Sequence, residues 1–110
     1  MHITTRSVDD VLVVDLEGSL NSHTCGPVST ELTRIAQGGS KKVLLNLEHL
    51  EFLTSSGLRA FLLGAKLLQT AGGTMKICRP NSVVDEVMRI SGFNSLLNVY
   101  ETEEEALAAF

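Results

Sequence analysis

The chain has 110 residues, of which 44% are hydrophobic and 20% are charged, and its net charge is −4 at pH 7. This length and composition are typical of one globular domain and exclude a disordered segment. The nine lysines and arginines are scattered along the chain, which argues against nucleic acid as the main partner, because phosphate binding requires clustered cations.

Predicted strands and helices alternate along the chain. Two strands joined at a tight turn come first, and helices that end at glycine or at the chain end then alternate with strands. The predicted strands are 2–8, 11–20, 42–47, 74–78 and 96–100, and the predicted helices lie within 24–39, 55–73, 81–92 and 102–110. The order β-β-α-β-α-β-α-β-α predicts an α/β domain, a mixed sheet of four to five strands covered by about four helices.

Apolar residues recur at three- and four-residue spacing in these helices, which indicates the faces that pack on the sheet. The residues expected to face inward are Val28, Leu32 and Ile35 in the first helix, Leu58, Phe61, Leu62, Ala65 and Leu68 in the second, and Val83, Val84, Val87, Met88 and Ile90 in the third. Thr102 and Glu105 have the spacing of a capping box at the start of the last helix.

The second predicted helix also has an outer face. Arg59, Leu63, Lys66 and Thr70 follow each other at helical spacing, opposite much of the apolar stripe. A leucine between two cations, close to a serine that could be modified, favours a docking face. The alternative is that Leu63 is a core residue in a helix covered from two sides, and the residue pattern leaves both possibilities open.

The sequence indicates a reduced, cytoplasmic protein without membrane insertion. Cys25 and Cys78 have neither metal-binding nor redox spacing, so we expect free thiols. The N-terminus lacks the charged and apolar regions of a signal peptide. The longest apolar stretch, from Leu58 to Leu68, contains two charged residues and is too short to span a membrane.

The patterns of common catalytic and metal sites are missing from the sequence. His2, His23 and His49 have no partner at metal-ligand spacing, so each is expected on the surface or at a strand end. "TSSG" differs from the nucleophile elbow, and His49 could serve Ser55 only if the loop folded back. We therefore predict no catalytic residue, metal or cofactor. A small nucleotide-binding or hydrolytic enzyme is the alternative, and the missing phosphate-binding loop argues against it.

Three hydroxyl residues, Thr54, Ser55 and Ser56, stand together before the second helix. A helix N-terminus needs one hydroxyl as its cap, and either Thr54 or Ser55 suits that role for a helix that starts near Ser56. The remaining hydroxyls raise the possibility of modification. A phosphate on Ser55 would be tolerated there, because a helix N-terminus carries free N–H groups and a partial positive charge.

The segment "VLLNLEHLEFLTSSGLRAFLLGAKLLQTAGGTMKI" resembles the centre of STAS domains, most closely those of stand-alone bacterial anti-sigma factor antagonists. In that family a hydrophobic strand leads to D-S-S-G-L or a close variant, followed by a helix, a Gly-Gly stop and a strand. "LEGSLNSHT" resembles the family's turn before the first helix, and "VVDEVMRISGFNSLLNVYETEEEAL" resembles its C-terminal region. The resemblance covers nearly the whole chain and implies a single STAS domain over residues 1–110.

The resemblance implies a partner switch controlled by phosphorylation. The unphosphorylated antagonist would bind an anti-sigma factor, usually a histidine-kinase-like serine kinase. That kinase would phosphorylate Ser55 and release the antagonist, and a PP2C-type phosphatase would reverse the step. Thr54 and Asn21 stand where the family usually has Asp, so Thr54 and Ser56 are rival acceptors. The alternative is a STAS adaptor subunit of a larger regulatory or transporter complex without a sigma factor client.

The expected partner-binding face combines an early turn, the hydroxyl loop and the outer side of the second helix. Its residues are Asn21, Ser22, His23, Thr24, Thr54, Ser55, Ser56, Gly57, Arg59, Leu63 and Lys66.

Overall fold

The computed structural model describes residues 1–92 and 97–110. Within these ranges the chain forms six strands and four helices. In chain order they are β1 His2–Val8, β2 Val11–Leu20, α1 Cys25–Gln37, β3 Lys42–Asn46, β4 Leu50–Leu53, α2 Ser55–Thr70, β5 Thr74–Cys78, α3 Ser82–Ile90, β6 Asn98–Tyr100 and α4 Glu103–Ala108. None of the described helices is long and apolar enough to cross a membrane.

The predicted α/β class is confirmed, and the structure adds one strand to the predicted order. That strand is β4, four residues between β3 and α2. The hairpin of β1 and β2 forms as predicted around Asp9, which adopts a positive φ of 55° in the tight turn. The last strand begins at Asn98, and Leu96, where the prediction begins, lies outside the described residues.

The sheet is mixed, with the order β1-β2-β3-β5-β6. β1 is antiparallel to β2, and the other pairs are parallel. The ten-residue β2 pairs with two strands in turn: its residues 12–15 lie beside β3, and its residues 18–20 lie beside β4. The register shifts at Gly18, whose φ of 112° is a conformation that glycine adopts readily.

The sheet is covered on both faces, so β3 is buried along most of its length, as its apolar run predicts. Val43 and Leu45 pack in the larger core, which also contains the buried residues of α1, α2 and α3. Leu44, which points to the opposite face, packs in the smaller core with Ala106 of α4. The domain therefore has three helices on one side and α4 on the other.

Polar contacts hold α4 against the sheet. Arg6 of β1 donates from Nε to Asp15 Oδ2 at 2.9 Å and from Nη1 to Glu103 Oε2 at 3.2 Å. Asn46 Nδ2 donates to Glu103 Oε1 at 3.0 Å. Thr102 caps α4 by accepting a hydrogen bond from Glu105 N at 3.1 Å, the half of the predicted capping box in which the threonine accepts.

The inward face predicted for α3 is wrong at two residues. Val84 and Met88 are buried, and Val87 packs at the edge of the core. Val83 is 47% exposed and Ile90 is 77% exposed. Because successive helix residues are rotated by about 100°, a face centred on Val84 and Met88 turns both of these side chains toward solvent.

Candidate functional site

Two loops of the predicted binding face leave the sheet side by side. Leu20 at the end of β2 pairs with Leu53 at the end of the parallel β4. Thr54 N donates a hydrogen bond to Leu20 O at 2.9 Å, which extends this contact beyond the strands. The turn that follows Leu20 (21–24, the early turn) is therefore adjacent to the start of α2 (54–57, the hydroxyl loop).

The early turn is held by its own side chains. Asn21 Oδ1 accepts hydrogen bonds from His23 N at 2.9 Å and from Thr24 N at 3.2 Å. Thr24 Oγ1 accepts from Asn21 N at 2.9 Å and donates to Ser19 O at 2.9 Å. This geometry requires an acceptor oxygen at position 21, which an amide supplies as well as a carboxylate, so Asn fits where the family usually has Asp.

Thr54 is the residue that caps α2. Its backbone is extended, with φ −95° and ψ 172°, and its Oγ1 accepts from Gly57 N at 3.5 Å, a long hydrogen bond. The same hydroxyl lies 3.4 Å from Leu20 O, to which it donates. Of the two caps that the sequence allows, the structure selects Thr54.

Ser55 is the first residue of α2, and its side chain is exposed. Ser56 and Thr54 are half-buried. Among the residues that the structure describes, none forms a hydrogen bond with the Ser55 hydroxyl, and the cap of the helix is Thr54. The first turn of α2 contains no acidic residue. Of the three neighbouring residues, Ser55 is thus the most exposed.

Gly57 allows α2 to start close to the ends of both strands. A Cβ atom at this position would lie 2.6 Å from Leu20 Cγ and 2.8 Å from Leu53 Cδ1, both shorter than real Cβ contacts allow. The glycine is buried, with Leu20 and Leu53 packed against it. Glycine at position 57 therefore sets the distance between the hydroxyl loop and the strands below it.

The outer face of α2 is exposed, as the docking-face interpretation requires. Arg59, Lys66 and Thr70 are exposed, and Leu63 is 46% exposed, so Leu63 is not a core residue. The opposite face of α2 packs in the core through Leu58, Phe61 and Leu68, with Leu62 and Ala65 at its edge. At the point where α2 crosses α1, a Cβ on Gly64 would lie 2.8 Å from Leu32 Cδ1, so these two helices pack closely.

The structure places all three histidines on the surface, as the sequence predicts. His2, His23 and His49 are all exposed, and His23 belongs to the early turn. Within residues 1–92 and 97–110 there is no cluster of three or more metal-ligating side chains. Cys25 and Cys78 are free thiols, and Cys78 is buried.

Sequence reasoning missed β4, the strand that leads into the hydroxyl loop and pairs with β2. The resemblance implied that residues 21–24 and 54–57 share one face, but no residue pattern predicted the strand that brings them together. The available signal was the pair Leu50 and Leu53, both fully buried, with exposed Glu51 and Phe52 between them. This pattern does not alternate as a strand is expected to alternate, so periodicity could not identify it.

The fold is that of a small α/β domain with its candidate binding surface at a strand-to-helix junction. The chain belongs to the STAS domain family, whose model matches residues 2–106. This confirms the resemblance found in the sequence.

Similar proteins are named as anti-sigma factor antagonists. The chain is 36% identical over 110 residues to a protein of Bordetella bronchiseptica assigned the name anti-sigma factor antagonist BtrV, covering 100% of this chain and 95% of that protein. It is 34% identical over 98 residues to the anti-sigma F factor antagonist of Paenibacillus polymyxa, covering 88% and 84%. The structure of the anti-sigma factor antagonist SpoIIAA in its unphosphorylated form matches with a TM-score of 0.81 and 25% identity, covering 96% and 93%.

Proposed function

We propose that this chain is an anti-sigma factor antagonist whose partner binding is switched by phosphorylation of Ser55. The observation that carries the proposal is the exposed hydroxyl of Ser55 at the start of α2, which does not serve as the cap of that helix. The relatives of this chain are named as antagonists. The unphosphorylated protein binds an anti-sigma factor of the histidine-kinase-like serine kinase type. The same kinase phosphorylates Ser55 and so releases the antagonist.

The position of Ser55 suits a modification that changes the surface and preserves the fold. A phosphate adds about −1.5 to −2 charges. At the N-terminus of α2 it meets free N–H groups and the positive end of the helix dipole, and no carboxylate of the first turn repels it. The helix therefore accommodates the charge. A partner that docks over Ser55 binds an uncharged surface, and the phosphate weakens that binding because it places a negative charge in the contact.

The choice among the three hydroxyls is supported by their surroundings. Thr54 is half-buried, and its oxygen contacts Leu20 O and Gly57 N, so its modification would remove the cap of α2. Ser56 is half-buried as well. Ser55 is exposed, and a kinase can reach it without disturbing the helix. Mapping of the phosphorylated peptide should place the phosphate on Ser55, and a phosphate on Thr54 or Ser56 would contradict the assignment.

The proposed surface is the early turn, the hydroxyl loop and the outer face of α2 with Arg59, Leu63 and Lys66. A PP2C-type phosphatase acting on phosphorylated Ser55 restores binding, and the protein works in the cytoplasm. The chain acts by binding and contributes no catalytic group or cofactor.

The proposal is tested by titrating Ser55→Ala and Ser55→Asp proteins with the purified anti-sigma factor of the same organism in a calorimeter. Ser55→Ala should bind as the wild type does, and Ser55→Asp should bind at least about tenfold more weakly. Ser82 supplies the matched control, because it is the exposed first residue of α3 and follows a capping residue, Asn81. Ser82→Asp should leave the affinity unchanged.

Equal affinity of the two Ser55 variants would contradict the switch. If both variants instead bound one and the same protein that is not an anti-sigma factor, the chain would be a constitutive STAS adaptor.

A further inference from the structure

Most cations of this protein have an internal partner. Among the described residues, seven of the nine lysines and arginines contact a carboxylate, a carbonyl or an aromatic ring. The contacts are Arg6 with Asp15 and Glu103, Arg34 with Glu31, Lys42 with Asp10, Arg79 with Glu48, Arg89 with Asp85, Lys41 with the carbonyl of Ala71, and Lys76 with the rings of Tyr100 and Phe110. For Arg59 and Lys66 the described part of the chain supplies no such partner.

These two cations, which have no partner in the described part of the chain, share one face of α2. Arg59, Leu63 and Lys66 are spaced by four and three residues, so they lie along one line that is about 10 Å long. The sixteen residues of α2 include no aspartate or glutamate. The whole protein carries a net charge of −4, so this face is a local exception to the charge of the molecule.

Leu63 lies between these cations and is 46% exposed. The core-facing side of α2 is already filled by Leu58, Phe61 and Leu68. The line Arg59–Leu63–Lys66 therefore presents an apolar side chain flanked by two charges that nothing within the described fold neutralises. Charges arranged in this way steer association with a surface of the opposite sign.

We infer that this line docks on a protein surface that carries carboxylates opposite Arg59 and Lys66 and an apolar recess for Leu63. The inference rests on the proposed function, because it names the chemistry of the anti-sigma factor surface that this antagonist contacts. Two cations are too few to bind nucleic acid strongly, and one leucine is too small an apolar anchor for a membrane surface. An acidic protein surface with an apolar recess would contact all three side chains, the two cations through its carboxylates and Leu63 through the recess.

The experiment compares charge changes on this line with equal changes elsewhere. Arg59→Glu and Lys66→Glu are titrated against the purified anti-sigma factor, beside Arg34→Glu and Arg89→Glu as controls on α1 and α3. All four variants change the net charge equally and alter exposed side chains. Arg59→Glu and Lys66→Glu should each weaken binding by about tenfold or more at low salt, and the controls by less than about twofold.

Salt and the leucine supply two further readouts. The loss caused by Arg59→Glu and Lys66→Glu should shrink when salt is raised from about 0.05 M to about 0.5 M, because screening removes the attraction that these variants abolish. Leu63→Ala should weaken binding by about fivefold or more at both salt concentrations, whereas Ile90→Ala, which truncates an exposed side chain of α3, should have almost no effect.

The outcomes separate this inference from the proposed function. Equal losses for all four charge reversals, or no loss for any, would overturn the inference while the contrast between Ser55→Ala and Ser55→Asp could still stand. Failure of the wild type and of Ser55→Ala to bind any anti-sigma factor would overturn both. Binding of the wild type to anionic phospholipid vesicles, or self-association, that is lost in Arg59→Glu would assign the line to another occupant and overturn the inference.

Discussion

Leu20 and Leu53 lie opposite each other on the parallel strands β2 and β4, and both side chains are fully buried. Their pairing brings the early turn beside the hydroxyl loop, because each loop begins at the next residue. The hydrogen bond from Thr54 N to Leu20 O continues the same contact. The candidate surface is therefore assembled by a strand pair that contains none of its residues.

Gly57→Ala should destabilise the protein by about 1–3 kcal/mol, because the added methyl group overpacks the space against Leu20 and Leu53. Urea denaturation measures the change. Gly26→Ala is the matched control: Gly26 also lies in the first turn of a helix, but a Cβ there meets nothing within 4 Å. That variant should be neutral or slightly stabilising. Equal effects of the two substitutions would show that Gly57 has no special packing role.

Thr54→Ala should cost about 1 kcal/mol of folding stability, since α2 loses the oxygen that accepts from Gly57 N. Thr54→Asp should retain most of that stability, because a carboxylate also caps a helix. Ser55→Ala, one residue later, should change stability by less than about 0.5 kcal/mol. Thermal melts of the three variants test this order. A loss for Ser55→Ala as large as that for Thr54→Ala would mean that Ser55 is the cap.

Ser55 and Arg59 should be coupled in the switch. They are four residues apart on α2 and both are exposed, so a negative charge on Ser55 lies within reach of the guanidinium. That charge competes with the partner's carboxylate for Arg59. Ser55→Asp should therefore weaken binding less in an Arg59→Gln background than in the wild type, which a double-mutant cycle of dissociation constants measures. Strictly additive effects would exclude this competition.

Acid should weaken the attachment of α4. Hydrogen bonds from Arg6 hold the pKa of Glu103 below its usual value of 4.5. Because the carboxyl binds a proton more readily in the unfolded chain, its contribution to stability is complete above pH 4.5 and is lost as the pH falls through the folded-state pKa. Urea denaturation of Glu103→Gln should show lower stability than wild type at pH 7, and this difference should shrink below about pH 4.

Glu104→Gln is the control for that experiment, because Glu104 is exposed on the same turn of α4. It should follow the wild-type pH profile. If Glu104→Gln and Glu103→Gln gave the same profile, the contacts among Arg6, Asn46 and Glu103 would contribute nothing specific to stability.

The two thiols should react very differently in the native protein. Burial raises the pKa of Cys78 to about 12, so its reactive thiolate is scarce at neutral pH and the sulfur is covered. Cys25 is only half-buried at the start of α1. A thiol reagent at about pH 8 should label Cys25 in the native state and both residues in urea. Cys25→Ser should abolish native labelling, and fast native labelling in that variant would contradict the buried position of Cys78.

Local patterns in the sequence predicted most of the fold. The apolar run of β3, the hairpin at Asp9–Asp10 and the apolar stripe of α2 each depend on residues close together in the chain. The inner face of α3 was predicted only in part. Five of the nine residues of that helix are apolar, and which of them are covered depends on the position of the neighbouring sheet, so Val83 and Ile90 proved exposed.

The sequence by itself determined the family, the α/β class and the identity of the hydroxyl residues, because these follow from the order of residues along the chain. Only the tertiary structure showed that β4 exists, that Thr54 caps α2, and that Leu63 is exposed between two cations without a partner among residues 1–92 and 97–110. Each of these depends on contacts between residues that are distant in the sequence. Leu20 pairs with Leu53 of β4 and accepts hydrogen bonds from Thr54, and the sheet covers one side of α2 while the other side remains exposed. Such long-range contacts leave no period in the sequence from which they could be predicted.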